Sequence, residues 1–301
     1  MTANDPHAAI LERLSPGATL TRREPLTGGV SAAVELLEFT TRAGAPARVV
    51  LRRHGAAAWK PLADDVTATE FALLTALRRA GLPVPAPLLL DTSRELLPSP
   101  FLVLEFVEGR AGLPERPRAG ALGEMAEFLA RLHALELDAL ELPTLPRGDD
   151  PIAGALRFVP SADDALRDAL TARAASRSPP ASVLVHGDFW PGNILWRNGR
   201  VAAVVDWEDA ALGDPLLDLA CCRLELLWRG DEDDVETFTR RYLAARDVDT
   251  TELPIWELYA GLAASDSMGQ WGLDAATLQT MRARTTEVLA RARARALALP
   301  R

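Results

Sequence analysis

Apolar positions in the first hundred residues come in short runs of strand-forming side chains, and the pattern predicts strands around one helix. Ala33-Val34-Glu35-Leu36-Leu37-Glu38-Phe39-Thr40 and Arg48-Val49-Val50-Leu51-Arg52 both read as strands. Gly44, Ala45 and Pro46 mark the turn between them. From 65 to 80 the spacing becomes helical, with a stop at Gly81 and Pro83. Two more strands are predicted at Pro87 to Asp91 and Phe101 to Val107. Glu108-Gly109-Arg110 then reads as a hinge, and Ala111 to Arg118 as a loop.

After the hinge the period turns helical. Ala121 to Leu137 places Leu122, Met125, Ala126, Leu129 and His133 on one face. Residues 183–207 interrupt this pattern. Val183-Leu184-Val185 runs into a loop, and Asn193 to Trp196 and Val201 to Trp207 flank Asn198-Gly199, a hairpin signal. From Pro215 onward the chain predicts helix after helix. The expected architecture is α+β and two-lobed, with a strand-rich lobe over 1–107 and a helix-rich lobe over 108–301.

The composition agrees. A chain of 301 residues with 48% hydrophobic and 25% charged side chains is globular and long enough for two lobes. No apolar run has membrane-spanning length, and the N-terminus lacks a basic start followed by an apolar block. No membrane partner or secretory leader is therefore expected. A net charge of -9 argues against a nucleic-acid partner. The two cysteines, Cys221 and Cys222, are adjacent in an apolar stretch and read as buried thiols of a reducing cytosol. Lys60 is the single lysine among 33 basic residues, so any cationic role falls to Lys60 or to an arginine. Lys60 itself reads as solvated surface.

The most informative segment is Leu184-Val185-His186-Gly187-Asp188-Phe189-Trp190-Pro191-Gly192-Asn193-Ile194-Leu195. Asp206 follows within Val204-Val205-Asp206-Trp207-Glu208, at the end of the strand that returns from the hairpin. An Asn carbonyl and an Asp carboxylate are hard oxygen ligands suited to Mg2+. Asp188 would then face a substrate hydroxyl. Phosphoryl transfer needs both functions, a metal on the phosphates and a carboxylate to orient the attacking oxygen and take its proton.

His186-Gly187-Asp188, Asn193, Asp206, Gly213-Asp214-Pro215 and Asp218-Leu219-Ala220 together resemble the aminoglycoside phosphotransferase family. The resemblance covers about residues 20 to 270. It implies a protein-kinase-like fold, with a small antiparallel-sheet lobe and a mainly helical one. It also implies Asp188 as catalytic base, Asn193 and Asp206 as Mg2+ ligands, and His186 as organiser of the loop. Asp218 would steady that loop. Asp214 precedes Pro215 as a helix cap would, which is a structural role.

The same resemblance points to a nucleotide grip. Leu26-Thr27-Gly28-Gly29-Val30-Ser31 looks like the family's phosphate loop, with Gly28 and Gly29 allowing close approach and Ser31 offering a hydroxyl. As residues alone they also fit an ordinary turn. Arg52 stands where protein kinases have a lysine. Glu70 shares a face with Val66, Leu73, Leu74 and Leu77, and a carboxylate on an apolar face needs a partner, for which Arg52 is the natural choice. The backbone of Glu105, Phe106 and Val107 resembles the hinge strand that meets the purine of ATP or GTP.

For the acceptor, Trp256, Glu257, Asp266 and Trp271 suit a cationic or sugar-like ligand. Core packing is the alternative for Trp256, and solvation for the acids. His133 reads as a satisfied core histidine, and Asp231-Glu232-Asp233-Asp234 as a solvated first turn of a helix. The leading expectation is a cytoplasmic, Mg2+-dependent kinase that phosphorylates a hydroxyl of a small molecule. The alternatives are a non-catalytic nucleotide-binding scaffold and a protein kinase. Against the last, Asp206 reaches Gly213-Asp214-Pro215 with little room for a peptide platform.

Overall fold

The computed structural model describes residues 5–26, 32–55, 65–116, 118–148, 150–176 and 182–299. Gly28, Gly29, Ser31 and Lys60 lie outside the described residues. The chain forms two units. The first runs to Gly109 and includes 140–144 and 202–208, and the second holds the rest.

In the first unit, α1 (Pro6–Leu14) starts at Asp5, whose carboxylate accepts the His7 N–H, with Pro6 at the first position. Strands β1 (Thr19–Pro25), β2 (Ala32–Thr40) and β3 (Pro46–His54) follow, then α2 (Val66–Arg79), β4 (Pro87–Asp91) and β5 (Phe101–Glu105). They form one antiparallel sheet in the order β1-β2-β3-β5-β4. Alternate side chains point to opposite faces. Leu37, Phe39, Val49, Leu51 and Val103 therefore pack with Ile10 and Leu11 of α1. Arg52, next to Leu51, meets Glu70 of α2 instead. Leu73, Leu74 and Leu77 of α2 are buried, each contributing about 1.5–3 kcal/mol. The helix stops where Gly81 takes a φ of +77°, with Leu82 N–H bonded to the Leu77 carbonyl and Gly81 N–H to that of Arg78.

The second unit begins with β6 (Arg110–Ala111) and α3 (Ala119–His133), then α4 (Pro151–Phe158) and α5 (Asp164–Ser176). Next come β7 (Val183–Val185), β8 (Ile194–Arg197), β9 (Arg200–Val204, whose last residues belong to the first unit) and β10 (Ala211–Gly213). Asn198 and Gly199 both have positive φ, 53° and 74°, as a tight two-residue hairpin turn requires. Strand β6 pairs with β8, and β7 with β10. Helices α6 (Leu216–Arg229), α7 (Glu232–Ala245), α8 (Leu253–Ser267) and α9 (Ala275–Leu297) complete the unit. Helix α3 packs on α7, α6 on α7, α8 and α9, and α4 on α8. The fold is α+β, with an antiparallel sheet in the N-terminal part and helices in the C-terminal part. Among the described residues no helix is long and apolar enough to cross a membrane.

Several details depart from the sequence pattern. Helix α1 and strand β1 are additional elements. β1 reads Thr-Leu-Thr-Arg-Arg-Glu-Pro and is an edge strand, where charge protects the open side and hides the alternation. Strand β5 ends at Glu105 rather than Val107, because its last partner is Val49. Helix α3 ends at His133 rather than Leu137. The acidic run at α7 is not wholly solvated. Asp231 caps the helix by accepting the Asp234 N–H, but Asp234 is itself buried and bonded at 2.7 Å to Arg118. Replacing Asp234 with Ala strands Arg118 beside the apolar α3–α7 packing. Denaturant unfolding should show a loss of about 2–3 kcal/mol, whereas Asp233→Ala, at an exposed position, should leave the midpoint nearly unmoved.

Candidate active site

In the second unit the His186-Gly187-Asp188 segment leaves β7 and is held from beneath by Asp218. Asp218 sits in the first turn of α6 and is fully buried. Its Oδ2 accepts the His186 N–H at 2.8 Å and its Oδ1 the Gly187 N–H at 2.8 Å. His133 Nε2 donates to the same carboxylate at 3.0 Å, and His133 Nδ1 meets the Tyr242 hydroxyl at 2.7 Å. Burial opposes ionisation of Asp218, but these hydrogen bonds and the neighbouring histidines hold its pKa below the ordinary carboxylate value. Gly187 has a φ of +83°, and a Cβ there would lie 2.2 Å from the Asp209 carbonyl oxygen, so only glycine fits. His186 is buried, with Nδ1 accepting the Asp188 N–H at 3.2 Å.

Asp188 and Asn193 are in direct contact. Asn193 Nδ2 donates to the Asp188 carbonyl at 2.9 Å and to Asp188 Oδ2 at 3.0 Å. Both amide hydrogens are thereby used, which turns Oδ1 away as the remaining polar atom. Among the described residues nothing donates to Asn193 Oδ1. The short 3-10 turn Pro191–Asn193 sets this geometry, and Gly112 N–H anchors it on the Pro191 carbonyl.

In the first unit Arg52 occupies a cage of acids. Its Nε lies 3.2 Å from Glu70 Oε2, and its Nη2 2.5 Å from Asp206 Oδ1 and 2.8 Å from Glu208 Oε2. His54 adds its Nε2 at 2.7 Å from Glu70 Oε2, with Nδ1 on the Thr67 hydroxyl at 3.0 Å. Burial opposes the charges of both partners, yet the acids raise the Arg52 pKa and Arg52 and His54 lower that of Glu70. Asp206 has a φ of 69°, unusual for a residue with a side chain. Among the described residues three carboxylates gather on the Arg52 guanidinium, and Asp206 is the most accessible of them. Hard carboxylate oxygens fit a divalent cation. Among the described residues no three His, Cys, Asp or Glu side chains form a metal cage. That is compatible with Mg2+, which takes few protein ligands and relies on water and phosphate oxygens.

The remaining expected residues separate into two groups. Glu105 spends its N–H on the Ala86 carbonyl at 2.8 Å, and its carboxylate accepts the Ala86 N–H at 3.1 Å. Phe106 and Val107 lie past the last ladder pair, with the Arg48 guanidinium 4.3 Å from the centre of the Phe106 ring. Asp214 Oδ1 accepts the Leu216 N–H at the start of α6, and its Oδ2 accepts Trp256 Nε1–H at 3.1 Å. Trp256 is thus a core residue, fully buried. Glu257 is also buried, paired with Arg223 at 2.7 Å and Arg295 at 3.1 Å. Both are committed to the helical core instead of facing a ligand. Trp271 packs edge-on against Trp228, and Asp266 is exposed on α8. Cys221 and Cys222 are free thiols, and burial pushes both above the ordinary thiol range.

Sequence reasoning gave no role to His54, Glu208, Trp190, Arg229 or Glu225. Glu208 had one signal, its place two residues after Asp206 with an apolar Trp between. Trp190 Nε1 donates to Asp188 Oδ2 at 3.3 Å, and the Arg229 guanidinium lies 4.3 Å from the centre of the Trp190 ring. Arg229 also pairs with Glu225, one turn earlier on α6. Burial raises the Glu225 pKa to about 8, Arg229 counteracts it, and Asp188 adds to the rise. The protonated form is therefore favoured by folding. Stability from this group is complete below pH 4.5, its ordinary value, and is lost as pH climbs toward 8. Glu225→Gln should gain stability over wild type across that window, reaching about 2 kcal/mol or more by its upper end. Melting temperatures of the pair across pH 5 to 9 check this, and a constant difference would refute it.

The model of the phosphotransferase enzyme family matches residues 22–263. Acyl-CoA dehydrogenase family member 11 of Rattus norvegicus is 32% identical over 200 residues, 60% of this chain and 25% of that protein. The chain thus spans about a quarter of the length of that relative. Among solved structures, a candidate aminoglycoside phosphotransferase of Ralstonia eutropha aligns with a TM-score of 0.71 at 16% identity, covering 98% of each chain. Amicoumacin kinase hAmiN, solved with AMP-PNP, Ca2+ and Ami, gives 0.65 at 13% identity, covering 96% of this chain and 94% of that one. Aminoglycoside phosphotransferase APH(4)-Ia, solved with ADP and hygromycin B, gives 0.61 at 20% identity, covering 99% and 98%. At such identities the likeness is one of fold. The family match extends over four-fifths of the chain and takes in His186, Asp188, Asn193, Asp206 and Asp218, so this chain belongs to the phosphotransferase enzyme family.

Proposed function

We propose that the chain is a Mg2+-dependent small-molecule kinase that moves the terminal phosphoryl group of ATP or GTP to a substrate hydroxyl. The observation that carries this reading is the Asp188–Asn193 contact, built on a loop whose backbone is clamped by Asp218. In phosphoryl transfer the protein contributes mainly position and charge. Asp188 accepts the proton of the acceptor hydroxyl and orients its oxygen. Asn193 Oδ1 and the Asp206 carboxylate hold the metal, which when bound neutralises phosphate charge. His186 and Asp218 keep Asp188 in place. Phe106 and Val107 offer backbone groups to the purine, and Gly28, Gly29 and Ser31 cradle phosphate.

The neighbours crystallised with ADP or AMP-PNP support a nucleotide co-substrate, and hygromycin B and amicoumacin support a hydroxyl-bearing acceptor. The Ca2+ of one neighbour supports a divalent cation. The dehydrogenase name of the longer relatives is not transferred to this chain, which matches about a quarter of their length. Two free thiols suit a reducing cytosol. We assign the nucleotide grip to residues 1–107 and the acceptor side to 108–301.

One feature favours a second reading, a nucleotide-binding scaffold without catalysis. Arg52 is enclosed by three carboxylates, unlike a cation presented to phosphate. Measuring Mg2+-dependent nucleotide consumption across a library of hydroxyl compounds separates the two. Wild type should turn over at least one acceptor. Asp188→Asn should lower kcat by at least about a hundredfold while ATP still binds. Turnover retained by that variant removes Asp188 as base, and no Mg2+-dependent consumption with any acceptor or with water supports the scaffold.

A further inference from the structure

We propose that Trp190 is a positioning residue for Asp188, held in place by Arg229 stacked on its indole. This rests on the kinase reading, with Asp188 as the base, and adds a side chain to it. Three observations converge. Trp190 Nε1 and Asn193 Nδ2 both donate to Asp188 Oδ2, at 3.3 and 3.0 Å. Two donors on one oxygen fix the carboxylate's rotation, and so the direction in which Oδ1 points. Removing one of these donors weakens the restraint on the Cβ–Cγ bond, a broad torsion in aspartate.

The indole's own orientation is built by its neighbours. On one side is Gly192, where an added Cβ would stand 2.0 Å from the Trp190 ring. The glycine thus leaves the space that the ring occupies. Over the ring lies the Arg229 guanidinium, 4.3 Å from its centre, in cation–π geometry. Arg229 is in turn tied to Glu225 on the same helix. The catalytic loop and the C-terminal end of α6 therefore grip one side chain between them. Asp218 at the other end of α6 holds the backbone of the same loop, so one helix fixes both the backbone and the side chain of the reacting residue. An indole that served only as packing would need neither its N–H aimed at the carboxylate nor a cation over its face.

The test uses the full chain with Mg2+-ATP, first with water as acceptor and then with the hydroxyl compound returned by the library. Trp190→Phe keeps an aromatic ring under Arg229 and removes the N–H donor together with part of the indole. It should lower kcat about tenfold with the KM for ATP unchanged. Arg229→Ala should lower kcat about threefold. In the double variant it should add little, since Arg229 acts through Trp190. Asp188→Asn runs beside them: if it retains full turnover Asp188 is not the base and the premise of this proposal fails, independently of Trp190. If it abolishes turnover while Trp190→Phe leaves kcat at the wild-type value, or shifts the KM for ATP in step, the positioning role is overturned. A crystal structure of the Trp190→Phe protein is a readout that needs no turnover. The Asp188 carboxylate should rotate or split into two conformers, and one unchanged conformer would contradict the proposal.

Discussion

The buried carboxylate of Asp218 governs the geometry of the loop on which the proposed chemistry rests. A backbone turning through His186, Gly187 and Asp188 has two consecutive N–H groups that no helix or strand ladder takes up, and buried backbone donors need partners. Asp218 takes both, one on each oxygen. The cost of burying that charge is offset by His133, which is itself fixed by the Tyr242 hydroxyl. The pair His133–Tyr242 joins α3 to α7, and Asp218 belongs to α6. Three helices thus agree on where one turn of backbone sits. Gly187 is the concession the chain makes in return, since no side chain fits between that turn and Asp209.

A different balance holds around Arg52. Guanidinium and carboxylates there are nearly all buried, and a buried ion pair gains stability only when every charge finds partners. Glu70 satisfies this through Arg52, His54 and the Trp207 N–H at 3.3 Å. Asp206 and Glu208 share the same guanidinium. Asp206 also carries a left-handed backbone, a conformation that costs about 1–2 kcal/mol for a side-chain-bearing residue. Strain of this kind persists where surrounding structure over-determines it. The Arg52 contact and the buried Trp207, whose Nε1 donates to Val204 O at 3.0 Å, supply that constraint.

How much of this was legible in the sequence depends on what each residue answers to. The hairpin at Asn198-Gly199 and the stop of α2 at Gly81 were readable because backbone geometry admits few residues there. Glu70 was readable because a carboxylate on an apolar stripe demands a cation. His186, Asp188 and Asn193 could be grouped because they lie on one short loop. The buried faces of α2 and α3 were readable from their spacing, with Leu73, Leu74 and Leu77 on one and Leu122, Met125, Ala126, Leu129 and His133 on the other; that of α8 was not. Helix α8 buries Trp256 and Glu257 as well as Leu253, Ile255, Leu258, Gly261 and Ala264, so it is covered on most of its circumference. A residue's presence on such a helix says nothing of whether it faces solvent. Asp234 failed for the same reason. Its neighbours in sequence are exposed acids, but its partner Arg118 is contributed by a distant segment.

The residues that specify the reaction and those that shape its surroundings therefore obey different rules. Asp218, Gly187 and Asn193 are tied to backbone atoms, which every sequence with this turn must satisfy. Trp190, Gly192, Arg229 and Glu225 are tied to one another. A tryptophan at 190 requires the missing Cβ at 192, and its ring face is the platform on which an arginine of α6 settles. Such a set can change only together, because a bulkier residue at 192 evicts the indole and a smaller one at 190 leaves Arg229 without its platform. Backbone-bound residues can be read as a motif along the chain, whereas side-chain sets of this kind emerge only when loop and helix are seen side by side.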